Sequence, residues 1–178
     1  MRLRAGVLND HEFDRATHSV QDLMSCELQV CDVAGLSSAE IKAKVTRLKR
    51  SVGLDMIVVD HLALMKGDNR LQRREAVGQN VRDLKALAKQ LNVPMLCLAQ
   101  LNRAVEARSG NEPQMSDLAE SGDIEQTADV ILFIYNQEDG VAGRRATIKI
   151  GKCRNGRVGL LDLTYRKEMN RFDSYYRG

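Results

Sequence analysis

Tryptophan is absent from this chain of 178 residues, and phenylalanine and tyrosine bring aromatics to only 4%. A broad platform for stacking bases, on which many single-strand binders rely, is therefore excluded. Proline occurs twice and glycine 13 times, too little for a collagen-like or proline-rich linker chain. No apolar run approaches the roughly 18–20 residues that a membrane-spanning helix needs. The opening Met1-Arg-Leu-Arg4 has no apolar stretch behind it of the kind a secretory signal carries. Cys26, Cys31, Cys97 and Cys153 form no C-x-x-C pair, and no histidine cluster completes a zinc set. Internal repeats and low-complexity tracts are lacking. These absences lead to the expectation of a soluble intracellular protein with four reduced thiols.

What is present is ordinary globular usage, 43% hydrophobic and 29% charged, in a length suited to one compact domain. A formal net charge of +3 permits nucleic-acid binding without proving it. Residues 11–25 read as an amphipathic helix and residues 28–32 as a short strand. Ser37-Ser-Ala-Glu40 is a capping box. It opens a helix with Ile41, Val45 and Leu48 on one face and a basic outer face, which a solvated helix also carries. Gly53 ends it. Leu54–Asp60 and Met95–Ala99 read as strands apolar on both faces, as in a parallel sheet covered by helices. Between them lie a basic loop, 66–74, and a long helix with Val77, Val81, Leu84, Ala88 and Leu91 at helical spacing. Residues 102–121 are too long for a simple connector and form a candidate functional loop. A short helix at 122–127 leads to a third buried strand, Asp129–Tyr135. Three strands follow, Ala146–Lys152, Gly159–Tyr165 and Arg171–Tyr175. The pattern predicts an α/β fold, a mostly parallel sheet with an antiparallel C-terminal extension.

Ligands of open α/β sheets sit beyond the carboxyl ends of the strands. Asp60 and Gln100 end two of them. An acid there supports Mg²⁺ through water, since Mg²⁺ keeps much of its hydration; a helix cap or loop acid is the plainer reading. Gln100 has an amide that senses phosphate or water, or that only satisfies backbone groups. Lys152 and Arg154 alternate on one strand face, as phosphate-reaching cations or as ordinary edge cations. Arg103 is free to meet a ligand or to pair with Glu106. His11 and His18 read as surface residues, and Met56, Met65 and Met95 as core filler.

Over Arg4–Leu8, Val58-Val-Asp60, Leu98-Ala-Gln-Leu-Asn-Arg103, Met115–Gly122, Ile124–Asp129 and Lys152-Cys-Arg-Asn-Gly156, the chain resembles the C-terminal, RecA-type motor domain of the DnaB family of replicative hexameric DNA helicases. The resemblance implies a RecA-like three-layer sandwich, with ATP and Mg²⁺ as cofactors of the complete protein. Single-stranded DNA and like subunits in a hexameric ring are implied as partners. A primase or a loader is a further partner, and the location is cytoplasmic, in a bacterium or derived from a phage. It assigns Asp60 to the Walker-B acid that holds Mg²⁺ through water, and Gln100 to the link between γ-phosphate and DNA-binding loops. Lys152 and Arg154 become the cations that reach a neighbour's nucleotide, with Arg154 as arginine finger. Glu120 and Gly122 fall in the channel loop that meets the DNA backbone. Arg103 and the loop residues Arg70, Arg73 and Arg74 are further DNA contacts.

The departures are specific. No G-x-x-x-x-G-K-[ST] phosphate loop occurs in the chain, and the family's catalytic Glu is missing too. Ala119 stands where family members commonly carry Arg, His61 and Ala63 where Tyr and Gln are usual, and Arg157-Val158 where Pro-Thr is common. The expectation is a truncated or diverged motor domain, lacking the N-terminal phosphate-loop portion and inactive alone. An alternative is a non-catalytic module that joins or inhibits a helicase ring. A bared strand edge and apolar face would make the fragment self-associate.

Overall fold

The structure is a computed structural model and describes residues 6–68, 70–106, 108–118, 121–136 and 145–175. Its contacts divide the chain into Met1–Val33 and Ala34–Gly178.

The first unit holds helix α1 (Asp10–Ser25), closed by a capping box between Asn9 and Glu12. Its apolar residues Phe13, Val20, Leu23 and Met24 are exposed, and the helix buries none of its side chains. The strand expected at 28–32 is not formed. Leu28 and Val30 lie in the open, and the segment joins no described sheet. A β-rich run becomes a strand only when a neighbouring edge takes up its amides and carbonyls.

In the second unit the sequence pattern is followed closely. Helix α2 (Ser38–Ser51) starts at the Ser37–Glu40 capping box and buries Ile41. Strand β1 (Ile57–Val59) pairs in parallel with β2 (Met95–Cys97). Helix α3 (Arg73–Leu91) crosses between them and buries Val77, Val81, Leu84, Leu87 and Leu91. Its end is set by Asn92, whose φ of 50° is tolerated by asparagine. Two bonds tie α2 to α3: Ser38 Oγ donates to Asp83 at 2.7 Å, and the Lys49 ammonium donates to the carbonyl of Leu91. The second sets a cation at the negative end of α3.

The remaining strands, β3 (Val130–Asn136), β4 (Arg145–Cys153), β5 (Gly159–Arg166) and β6 (Arg171–Ser174), form an antiparallel sheet in the order β3-β4-β5-β6. Among the described residues, parallel pairing is thus confined to β1 and β2, and the third expected strand joins the antiparallel set. Ile57, Ile131 and Phe133 meet the apolar side of α3 in one core. The opposite faces are bare: Met56, Val58, Leu96, Val130, Leu132 and Ile134 are each about half exposed. The reading of strands covered on both sides is corrected accordingly, and so is Met56 as core filler, because the helices of this unit pack against one side only. Met65 and Met95 do pack against the core. Among the described residues, no helix is long and apolar enough to cross a membrane.

Candidate functional site

Because β1 and β2 run parallel, the residues that follow them come out on the same edge. The Leu98 amide donates to the Val59 carbonyl at 2.9 Å, and the Leu62 amide to the Leu98 carbonyl at 3.0 Å. Asp60 projects from this edge with 74% of its side chain exposed, and His61 Nδ1 lies 3.8 Å from its carboxylate. Gln100 lines a small cleft of about 100 Å³ with Leu62, Arg73, Val77 and Ile124. The edge residue expected to sense phosphate therefore shares a cavity with one of the expected DNA contacts.

Arg73 and Arg74 lie on the first turn of α3 rather than in a loop. The correction has a local cause: Glu75 Oε2 accepts from the Gln72 amide at 3.2 Å, which starts the helix before both arginines. One Arg74 guanidinium nitrogen comes 3.6 Å from where a side chain on Gly122 would begin, so these two predicted contacts converge. Arg70 is exposed and lies 3.5 Å from Asp68. Arg103 opens a single turn after Asn102, whose side chain caps Ala104. It makes no pair with Glu106 among the described residues. Ala119 and Glu120 lie outside them.

The long loop is closed at its base. Leu101 bridges Leu118, and the Asn102 amide donates to the Asp117 carbonyl at 2.7 Å. Within it, Arg108 grips Asp117 with both guanidinium nitrogens, at 2.7 and 3.0 Å. The Asp117 carboxyl is held below its usual range by that bond first and by the Gln114 amide second. Lys149 of β4 reaches in to Glu112 at 2.6 Å and to the Pro113 carbonyl at 2.9 Å. These bonds hold residues 112–117 against β4, ahead of helix α4 (Ser121–Thr127).

Helix α4 is fastened to α3. Arg82 pairs with Asp123 and Lys85 with Asp129. The two basic residues are three apart on one helical face, and they meet one acid within α4 and one just past its end. Gly78 makes the close approach feasible, since Asp123 occupies the space a Cβ would need. Past α4 the two expected trans-acting cations meet their own chain. Lys152 lies opposite Ile131, next to a bulge that leaves Gly151 unpaired, and its ammonium donates to the carbonyls of Glu125 and Gln126. Arg154 Nη1 sits 3.1 Å from Asp129 Oδ1, and its amide donates to the Asp129 carbonyl at 2.8 Å. Lys85, Asp129 and Arg154 form one charge chain, and the Asp129 carboxyl is held low, by Lys85 foremost.

Sequence reasoning assigned no role to Asp129, Lys85, Arg82 or Asp123. The partners lie about 40 residues apart, and only the folded chain brings them together. The cysteines are free, as expected. Burial pushes the Cys97 thiol up to about 11, which leaves it unreactive.

The fit to ATP and Mg²⁺ is partial. An exposed carboxylate at a strand end suits an outer contact to hydrated Mg²⁺. Among the described residues, however, no group of three His, Cys, Asp or Glu is placed to hold a metal, and no glycine-rich motif cradles phosphates.

Comparison with known proteins places this geometry. The chain is 39% identical over 176 residues to the replicative DNA helicase DnaC of Bacillus subtilis (strain 168), covering 96% of this chain and 39% of that protein. A solved ATPase domain superposes with a TM-score of 0.91 at 29% identity, covering 98% of this chain and 65% of that one. A DnaB-like replicative helicase, solved in a study of its interactions with primase, gives 0.87 at 30% identity, covering 95% and 42%. The chain thus spans well under half the length of the curated relative. The family profile described as the DnaB-like helicase C terminal domain matches residues 1–174, and with this RecA-like fold the chain belongs to that family.

Proposed function

We propose that this chain is the part of a replicative helicase motor that carries the Walker-B acid, the DNA-facing elements and the neighbour-facing cations. In the complete protein, ATP hydrolysis at ring interfaces drives single-stranded DNA through a central channel. Asp60 supports hydrated Mg²⁺, and Gln100 relays the state of the γ-phosphate. Lys152 and Arg154 serve the nucleotide of the next subunit, with Arg154 as arginine finger. Arg73, Arg74 and Gly122 meet DNA phosphates, with Arg70, Arg103 and Glu120 beside them. Such contacts are sequence-independent and salt-sensitive. The observation that carries the reading is the convergence of Gln100, Arg73 and Ile124 on one cleft. It joins the phosphate-sensing edge to the DNA-facing elements.

The chain alone supplies no phosphate cradle, so it is inactive in isolation. A titration with a fluorescent ATP analogue, with and without Mg²⁺, tests this. The expected outcome is no binding up to about millimolar, on the order of −4 kcal/mol. Tight Mg²⁺-dependent binding overturns it. The bare apolar sheet faces favour one second reading, a module that joins a helicase ring or another copy of itself without catalysing anything.

A further inference from the structure

On the reading of Lys152 and Arg154 as phosphate-reaching cations, their position in this structure has a consequence. Both are half-exposed or exposed, and both are engaged by their own chain. Arg154 is folded back on Asp129, and Lys152 on the last carbonyls of α4. We propose that Asp129 is a positioning residue that keeps Arg154 withdrawn on its own chain until a polyphosphate anion displaces it.

Three features support this. The Arg154 backbone is fixed to Asp129 at 2.8 Å, so the side chain moves while its base stays registered on β3. The ion pair is weak enough to open, since both side chains are 51% exposed and water screens such a pair. A polyphosphate brings several charges and outcompetes one carboxylate for a guanidinium. Lys85 competes with Arg154 for the same carboxylate. It keeps Asp129 from binding the arginine with its full charge. Because Lys85 belongs to α3, whose first turn carries Arg73 and Arg74, the restraint is anchored to the element that faces DNA.

The test uses this chain and inorganic tripolyphosphate as the probe, titrated at low salt to well above millimolar. It is read from the Arg154 Nε–H NMR shift, and from the neighbouring backbone amides where Arg154 is replaced, which report the weak anion binding that a chain without a phosphate cradle retains. Asp129→Asn releases Arg154 and tightens tripolyphosphate binding by up to about fivefold, the scale of an exposed ion pair. The charge-matched Asp173→Asn, which disturbs Arg166 and Arg171 instead, gives a smaller gain. Asp129→Glu restores the weaker binding, and Arg154→Ala in the Asp129→Asn background removes the gain. If Asp129→Asn and Asp173→Asn act alike while Arg154→Ala still weakens binding, the restraint is refuted and the phosphate role of Arg154 stands. If Arg154→Ala changes nothing in either background, both are refuted. Thermal melting of each variant separates loss of fold from loss of restraint.

Discussion

Two glycines and one ion pair carry much of the geometry around the candidate site. An alanine at Gly78 would put its Cβ 2.1 Å from Asp123 Oδ2, and at Gly151 2.5 Å from the Phe133 ring. Asp123 is short and held by Arg82, and Phe133 is 2% exposed, so neither neighbour yields cheaply. Gly78→Ala is expected to destabilise the chain by about 1–3 kcal/mol, read from urea unfolding midpoints; an unchanged midpoint would show that α4 has room to move. The Arg108–Asp117 pair gives a pH signature. The folded Asp117 carboxyl lies below its unfolded value of about 3.9. Its contribution is therefore complete above that value and is lost as pH falls through the lower folded value. Arg108→Gln should lower stability at pH 7 and shrink the further loss on acidification to pH 3. Equal losses in both proteins would contradict the assignment.

Among elements, the short ones depend on the long one. Helix α4 has seven residues, too few to persist alone, and Arg82 of α3 holds its Asp123 while Lys85 holds Asp129 just past its end. The capping signal at Ser37 and the apolar spacing along α3 are local, so they are legible in the sequence; the start of α3 at Gln72 reads there as loop, since glutamine is not a usual N-cap. Residues 28–32 have strand composition and form no strand, since no described edge pairs with them. On the proposed DNA role, Arg73 and Arg74 project from the start of α3 and each neutralises one phosphate. Replacing both with alanine should reduce the slope of log K against log salt for an oligo-dT strand by about 1.4, at roughly 0.7 per phosphate on single strands. An unchanged slope in fluorescence anisotropy would remove these two from the DNA contacts.

For the molecule as a whole, the decisive feature is a core closed on one side. Val58, Leu96, Leu132 and Ile134 lie 47–59% exposed on the outer faces of the two sheets. Burying such a side chain fully contributes about 1.5–3 kcal/mol, so a second surface that covers them is strongly favoured. Sedimentation velocity should find the isolated chain self-associating, with Val58→Lys and Leu132→Lys together shifting it towards monomer. A clean monomer at high concentration refutes the idea. Sequence by itself determined where most helices and the strands from Leu54 onward lie along the chain, and the family, because capping boxes, apolar periodicity and motif spacing are written within short windows of chain. Tertiary structure alone decided that β3 pairs antiparallel with β4, that Arg74 closes on Gly122, and that Asp129 holds both Lys85 and Arg154. Those outcomes depend on which edges and charges meet, and a linear pattern carries no record of which residue elsewhere in the chain will be the partner.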